Sequence, residues 1–569
     1  MNKTRLAAFA FSALTISLAN AAQYNVVELE TNNVGLNTFP SDINASGQIA
    51  INVSIPFNPP IDASLLNFES QTLIDNLTDI EAAKIGNYND ADYTFLYGLL
   101  TADANSEGLT IQQIANRHAY VESDNNSALI PGFDVLDANT NEYTFSNDTL
   151  VRGINDSGTT VGSSFDVFYT LDYTLESGTD ITYVVNDFYS RAFATVNNTT
   201  IELPPIDDTA GGLSVAYDVN NSNQVVGYST TTLLDGSTLQ TSVDNCNDED
   251  VRGDEPAEVC LRRINLSSAS ASGEKSLKFN FQRRGTIWQL DNQGQIISTK
   301  ELGLAYTPEE DDTNGYESKA LAINDNGVAV GESSGQYRDT NFIRTFAAIY
   351  EGDTVTEITD DQTYTSSTAT DINNSGLVVG SAVKQVNGIS RSKFFIHDIN
   401  TDETVFPEDF FLGSSSFANA INDAGIVVGK GEIEAGVSAR RSHAFRFDSN
   451  SSEFINMNDL IQCNSPYTLV NATGINNDGV IAASALVRTQ SKNIFGDVVL
   501  DSNGDEVIVD RIISVRLEPI AGGFIEDCDV TEPGDDKSDN DTDRQGAGFG
   551  LISLFGLMVI AIRRRIKLS

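Results

Sequence analysis

The sequence predicts an all-β protein: a seven-bladed β-propeller with insertions in blades 1 and 3 and a hydrophobic helix at the C-terminal end. Three observations carry this. One phrase recurs seven times, a second strand–turn–strand element follows it, and the two ends of the globular part hold complementary leftover strands.

The phrase is clearest at Ala420-Ile421-Asn422-Asp423-Ala424-Gly425-Ile426-Val427-Val428-Gly429. Its Asn recurs as Asn44, Asn155, Asn220, Asn324, Asn373, Asn422 and Asn476, always after a β-branched residue. Three residues later stands Gly47, Gly158, Gly327, Gly376, Gly425 or Gly479, and Asn223 in the third copy. The Asn side chain can bond backbone two residues on, and Gly, or Asn as next best, takes a left-handed corner. An apolar run such as Val378-Val379 is then the return strand. Asn324, Asn373 and Asn422 stand 49 residues apart, long enough for a four-stranded unit.

The second element supplies the outer strands. Blade 6 reads Ser442 to Phe447, a turn at Asp448-Ser449-Asn450, then Phe454 to Met457. The third strand is expected at Arg191 to Ala194 in blade 2, Thr286 to Gln289 in blade 3, Thr345 to Ala348 in blade 4, and Lys393 to Ile396 in blade 5. Blade 1 is expected to use Gly132 to Val135. Blade 7 has Ile512 to Leu517 and no fourth strand. The N-terminal stretch Tyr24 to Glu30 is a strand without a blade, so it should close the ring.

Residues 1–21 carry Lys3 and Arg5, an apolar run from Leu6 to Leu18 and Ala19-Asn20-Ala21, which reads as a signal peptide. The propeller then spans 22–525. Residues 55–130 and 230–284 split blades 1 and 3 between their second and third strands, the first partly helical over Leu65 to Lys84 and Leu109 to His118. That connection is expected to be the long one in the other blades too, gathering variable material on one face. Residues 526–545 are acidic and without apolar periodicity, a disordered linker. Residues 546–569 hold an apolar run to Ile562 closed by Arg563-Arg564-Arg565. From Gly546 the run is about 17 residues, the lower limit for a bilayer span, and the basic end predicts a cytoplasmic terminus.

Composition excludes some roles. A net charge of −46 over 569 residues repels nucleic acid. Export permits disulfides; proximity pairs Cys246 with Cys260 and leaves Cys463 with Cys528, one of three pairings that four cysteines allow. Zinc does not fit this spacing with only His118, His397 and His443 to help. Asp501, Asn503 and Asp505 alternate as in calcium loops, but Ile512 stands where the bidentate Glu belongs, so a polar hairpin turn explains them better. Arg252-Gly253-Asp254 is too short a match to an adhesion tripeptide to predict adhesion. Neither a Gly-x-Ser-x-Gly elbow nor a His-Glu-x-x-His occurs. No catalytic residue and no cofactor is assigned, calcium being the one candidate.

The phrase, followed by His443-Ala444-Phe445-Arg446-Phe447, resembles the HAF-type extracellular repeat of exported bacterial proteins of unknown function. The likeness runs over roughly 24–520 and is strongest from 318 to 485. The linker, Gly546-Ala547-Gly548, apolar run and basic end are similar to the GlyGly-CTERM sorting tail, the alternative being a permanent single-pass anchor in the inner membrane. That resemblance implies a rhomboid-type protease, secretion machinery and, before processing, the membrane as partners. The expected localisation is the periplasm or outer cell surface. The expected function is an envelope- or surface-attached, non-catalytic binding or structural propeller of unknown ligand, a glycan, a protein or the cell envelope being the candidates. The alternative is a carboxylate-dependent polysaccharide hydrolase or lyase acting from the insertion face.

Overall fold

The computed structural model describes residues 23–525 apart from 104–108, 125, 137–140, 234–235, 266–280, 310–311, 313, 339, 341 and 436–439. Seven four-stranded antiparallel sheets follow one another around a central channel. Strands are lettered a to d from the channel outward. The a strands are Gly35–Ile43, Thr149–Ile154, Ser214–Val219, Ser318–Ile323, Ser366–Ile372, Ser416–Ile421 and Tyr467–Ile475. The repeated Asn follows directly on each.

The ring closes through the two ends of the chain. Tyr24–Glu28 is strand d of blade 7, antiparallel to strand c, Ile508–Pro519, with Val26 opposite Leu517 and Val27 opposite Arg516. Apolar clusters fill all seven gaps between neighbouring blades. Between blades 7 and 1, Ala482 meets Leu29, Ile43, Ile49 and Ile51. Between blades 5 and 6, Phe394 stacks on Phe445 with ring centres 4.9 Å apart, both fully buried. The recurring Phe of strand c is therefore the filler between blades, which accounts for its place in the repeat.

A feature of strand a explains the phrase's second Gly. Every a strand carries a β-bulge between the fourth and second residues before the Asn, as at Ala369/Asp371 and Ala418/Ala420. The bulge swings a strand a carbonyl toward strand b. A Cβ at Gly380 or Gly429 would lie 2.1 or 2.0 Å from the oxygen of Thr368 or Phe417. The left-handed corner is observed as well: Gly425 has φ +79°, and Asn223 takes φ 57° in its place in blade 3.

Blade 1 departs from expectation. Its c and d strands are Arg117–Ser123 and Asn126–Ile130, not Gly132 to Val135, and both lie inside the stretch 55–130 expected as an insertion. Phe133 belongs to the link into blade 2, where it meets Phe193 edge-on; it mimics the blade filler without being in a strand. The segment between strands b and c of blade 1 holds α1 (Gln71–Asn76), α2 (Ile80–Ala83) and α3 (Asp90–Asp103), whereas the helix expected over Leu109 to His118 is absent, strand c starting at Arg117. The corresponding segment of blade 2 holds a hairpin, Tyr169–Thr174 with Asp180–Val185. That of blade 3 holds α4 (Gly236–Asn247), α5 (Glu249–Arg252) and α6 (Ala257–Asn265). In blade 5 the b–c connection is only the turn Asn387-Gly388, so it is not long in every blade; both residues take positive φ, which suits a tight hairpin. The expected signal peptide, linker and C-terminal helix lie outside the described residues. Among the described residues no helix is long and apolar enough to cross a membrane.

Candidate functional site

The channel is lined by the seven repeated Asn and the residues on either side of them, with Asp42, around a cavity of about 200 Å³. Each Asn works in two directions. Inward to its own turn, Oδ1 accepts the N–H four residues on, as Asn422 does from Ile426 at 3.0 Å. Outward, Nδ2 donates to the carbonyl of the Asn of the next blade: Asn44 to Asn155, then Asn220, Asn324, Asn373, Asn422, Asn476 and back to Asn44, at 3.0 to 3.2 Å. Seven side chains form one closed circle of hydrogen bonds. The residue type is explained: only a short amide can accept within its turn while donating across the gap.

A second circle lies one residue further on. Asp156, Asn221, Asp325, Asn374, Asp423 and Asn477 each accept the backbone N–H of the same position in the preceding blade, at 2.8 to 3.1 Å. The Asn amides donate to the neighbouring carboxylates at 2.9 to 3.3 Å, so each negative charge is separated from the next by an amide. Alternation cannot close on an odd number, and the break falls in blade 1 at Ala45.

A third circle lies two residues before the Asn, re-aimed by the bulge. It reads Asp42, Gly153, Asp218, Ala322, Asp371, Ala420, Gly474. Each Asp accepts its own neighbour's N–H and one from the next blade: Asp42 from Ile154, Asp218 from Ile323, Asp371 from Ile421, at 2.8 to 2.9 Å. Small residues make room between them; a Cβ at Gly153 would come 2.9 Å from the Cα of Asp218. Burial raises all three carboxyls above the usual range, repulsion from nearby carboxylates adds to it (Asp218 on Asp42 and Asp371, Asp325 on Asp218), and Asp371 is pushed up to about 7. Sequence reasoning missed this circle. Its signal is the alternation of Asp with Gly or Ala two places before the repeated Asn.

The opposite face is not repeated. Starting at blade 7, Ile494 accepts from the N–H of Asn58, and Phe495 packs on Tyr93 of α3. Leu109, at the end of the blade 1 segment, accepts the N–H of Val184 in the blade 2 hairpin at 2.6 Å. That hairpin buries Tyr183 and Val185 against Val259 of α6. Asp254 takes hydrogen bonds from Tyr173 and from the N–H of Glu176. The b–c connections of blades 7, 1, 2 and 3 thus form a continuous arc over half of one face.

The sequence candidates fall as follows. Cys246 and Cys260 are bonded and hold α4 to α6. Cys463 is disulfide-bonded, and its expected partner Cys528 lies outside the described residues. Asp501 closes its own hairpin, accepting the N–H groups of Asn503 and Asp505 at 2.8 and 3.0 Å, so the three candidate calcium residues form a turn. Among the described residues no three His, Cys, Asp or Glu are placed to hold a metal. Arg252-Gly253-Asp254 is tied inward by Asp254. His118, His397 and His443 lie in strand c of blades 1, 5 and 6 and share no site. His118 stacks on Phe145, and burial lowers its pKa to about 4.

A closed ring of seven sheets with an arc of unrepeated connections on one face defines a β-propeller. The chain belongs to a family of proteins of unknown function, DUF3466, whose profile matches residues 3–565. No curated protein matches it. Among solved structures it is similar to the acylaminoacyl peptidase of Pyrococcus horikoshii, at 9% identity and a TM-score of 0.34, over 86% of this chain and 53% of that one. The chain thus spans about half the length of that enzyme. It is also similar to the propeller domain of the Trilobed protease from Pyrococcus furiosus, at 7% identity and a TM-score of 0.32, over 84% and 95% of the two chains.

Proposed function

We propose that this protein is an exported, surface-attached propeller that binds a glycan or a protein through the arc on its b–c face, without turning it over. One observation supports this reading above the rest. The channel spends its polar side chains on joining blades, while the arc is built from unrepeated sequence and stapled by a disulfide. A rigid scaffold carrying variable connections on one side is the usual layout of a binding surface. Residues 1–21 are proposed to direct export. Residues 546–569 are proposed to hold the chain in the membrane until a sorting protease removes them.

The test is a panel of polysaccharides and envelope fractions offered to the mature protein and to a variant whose 234–280 segment is replaced by a short turn. The parent should retain a ligand that the variant releases. Release of reducing ends or unsaturated products would favour a hydrolase or lyase instead. Mass spectrometry of the cell-surface protein tests the tail: an intact end at Ser569 rules out cleavage.

A further inference from the structure

The arc contains a cation whose hydrogen bonds are partly unspent. Arg262 of α6 is 6% exposed, and neither Nε nor Nη1 has a hydrogen-bond partner. Its guanidinium lies over the ring of Tyr189, 5.0 Å from the centre, and Tyr189 packs on Phe165 at 4.8 Å. Neighbouring arginines hold partners, although the Nε of Arg191 is also buried without one. Arg191, stacked on Phe188, binds Glu202 and the carbonyl of Gly211. Arg252 binds the carbonyls of Glu255 and Cys246, and Arg263 binds Glu255.

The same corner holds two buried acceptors without partners, Oδ1 of Asn147 and Oδ1 of Asn186. Their amide nitrogens locate them: Asn147 donates to the carbonyl of Phe165 at 3.1 Å, and Asn186 to that of Asp166 at 3.5 Å. Asp166 is the carboxylate nearest in effect. It attracts Arg262 through space, but its Oδ2 is bonded to the N–H of Asp187. Burial lowers the Arg262 pKa to about 10, which leaves the group charged at neutral pH. A buried guanidinium and two amide oxygens without partners in one corner are costly unless something completes them.

We propose that Arg262 anchors a site for an oxyanion carried on a hydroxyl-bearing group, the chemistry of a uronic acid or of a sugar phosphate. The guanidinium donates to the anion. Asn147 and Asn186 accept from hydroxyls, and Tyr189 with Phe165 forms the apolar wall. This deepens the binding reading of the arc and rests on it.

The test is calorimetry and thermal unfolding of the mature protein at constant ionic strength with sodium glucuronate, inorganic phosphate or glucose. Glucuronate or phosphate should raise the melting temperature and glucose should not; which anion acts identifies carboxylate or phosphate as the source. Arg262→Gln should abolish the shift, and Arg262→Lys should weaken binding about tenfold or more, because ammonium lacks the planar fork. Should Arg262→Gln fail to fold, Asn186→Asp serves in its place. It adds a carboxylate to the corner at the expense of the bond to the Asp166 carbonyl, and should remove the anion shift. No shift with either anion, or a shift that survives Arg262→Gln or Asn186→Asp, overturns the oxyanion site. A neutral glycan held by the parent and lost on replacing 234–280 would leave the arc reading standing while this site fails.

Discussion

The channel and the arc show two ways of using polar residues in one chain. In the channel, each Asn accepts within its own turn and donates to the next blade. On the opposite face, Arg262 and Asn186 in the arc and Asn147 in the link between blades 1 and 2 sit buried with atoms unpaired. Repetition produced the first: a residue that joins one blade to the next is useful seven times. The second occurs once, in sequence free of the repeat, where unspent hydrogen bonds do not have to serve the ring. Scaffold and recognition are therefore separated by face, and substitutions on the two sides should behave differently.

The largest effect should come from opening the circle. Removing residues 24–28 strips blade 7 of strand d and uncovers Leu517 and Val515. The variant should lose cooperative unfolding in calorimetry and aggregate through the exposed edge, as unpaired strands do. A stable, monomeric product would contradict closure of the ring by Tyr24–Glu28.

A smaller loss should follow from breaking one link. Asn373→Ala removes the donor to Asn422 and the acceptor for Ser375 and Leu377. About 2–4 kcal/mol of stability should go in urea unfolding, since unpaired buried groups cost about 1–3 kcal/mol each. Asn223→Gly, at the exceptional corner, should cost less, about 1 kcal/mol: Gly accepts positive φ without strain, but the acceptor for Asn155 Nδ2 at 3.2 Å is lost.

The third circle gives a pH effect. The folded pKa of Asp371 is raised to about 7 from 3.8, chiefly by burial. A raised carboxyl contributes stability that is fully present below about pH 4 and is lost as pH rises through about 7. The melting temperature should therefore fall between about pH 4 and 7 and level off above that, and Asp371→Asn should flatten that slope. An unchanged slope would show that Asp371 is ionised throughout.

The smallest effect is a gain. Ala45 interrupts the second circle, leaving Asn477 without the side-chain acceptor that its counterparts have for the N–H. Ala45→Asn should extend the alternation and add about 0.5–1 kcal/mol, the net worth of one hydrogen bond. Ala45→Asp should gain less, because it places a carboxylate next to Asp156 with no amide between.

The legible part of this molecule is the repeated part. The seven Asn, their Gly corners and the closing strand could be read because each recurs, or because a strand was missing at one end and left over at the other. The Asp42, Asp218 and Asp371 circle was hidden by the bulge: strict strand alternation places those side chains elsewhere. Blade 1 misled because its c strand, Arg117–Ser123, lacks the Phe that marks the c strands of blades 2, 4, 5 and 6, whereas Gly132-Phe133 has one and is only a link. Arg262 left no signal at all. It is half of an Arg-Arg pair on a short helix, and the ring it lies over, Tyr189, belongs to another blade.

Native-state hydrogen exchange tests the division between ring and arc most directly. The N–H groups that close the seven turns, such as those of Gly47, Gly376 and Gly479, should exchange together, only through global unfolding. Those of the blade 2 hairpin and α4 to α6 should exchange through a separate opening of lower free energy. One rate for both regions, or a turn that opens alone, would contradict a closed scaffold carrying an independent arc.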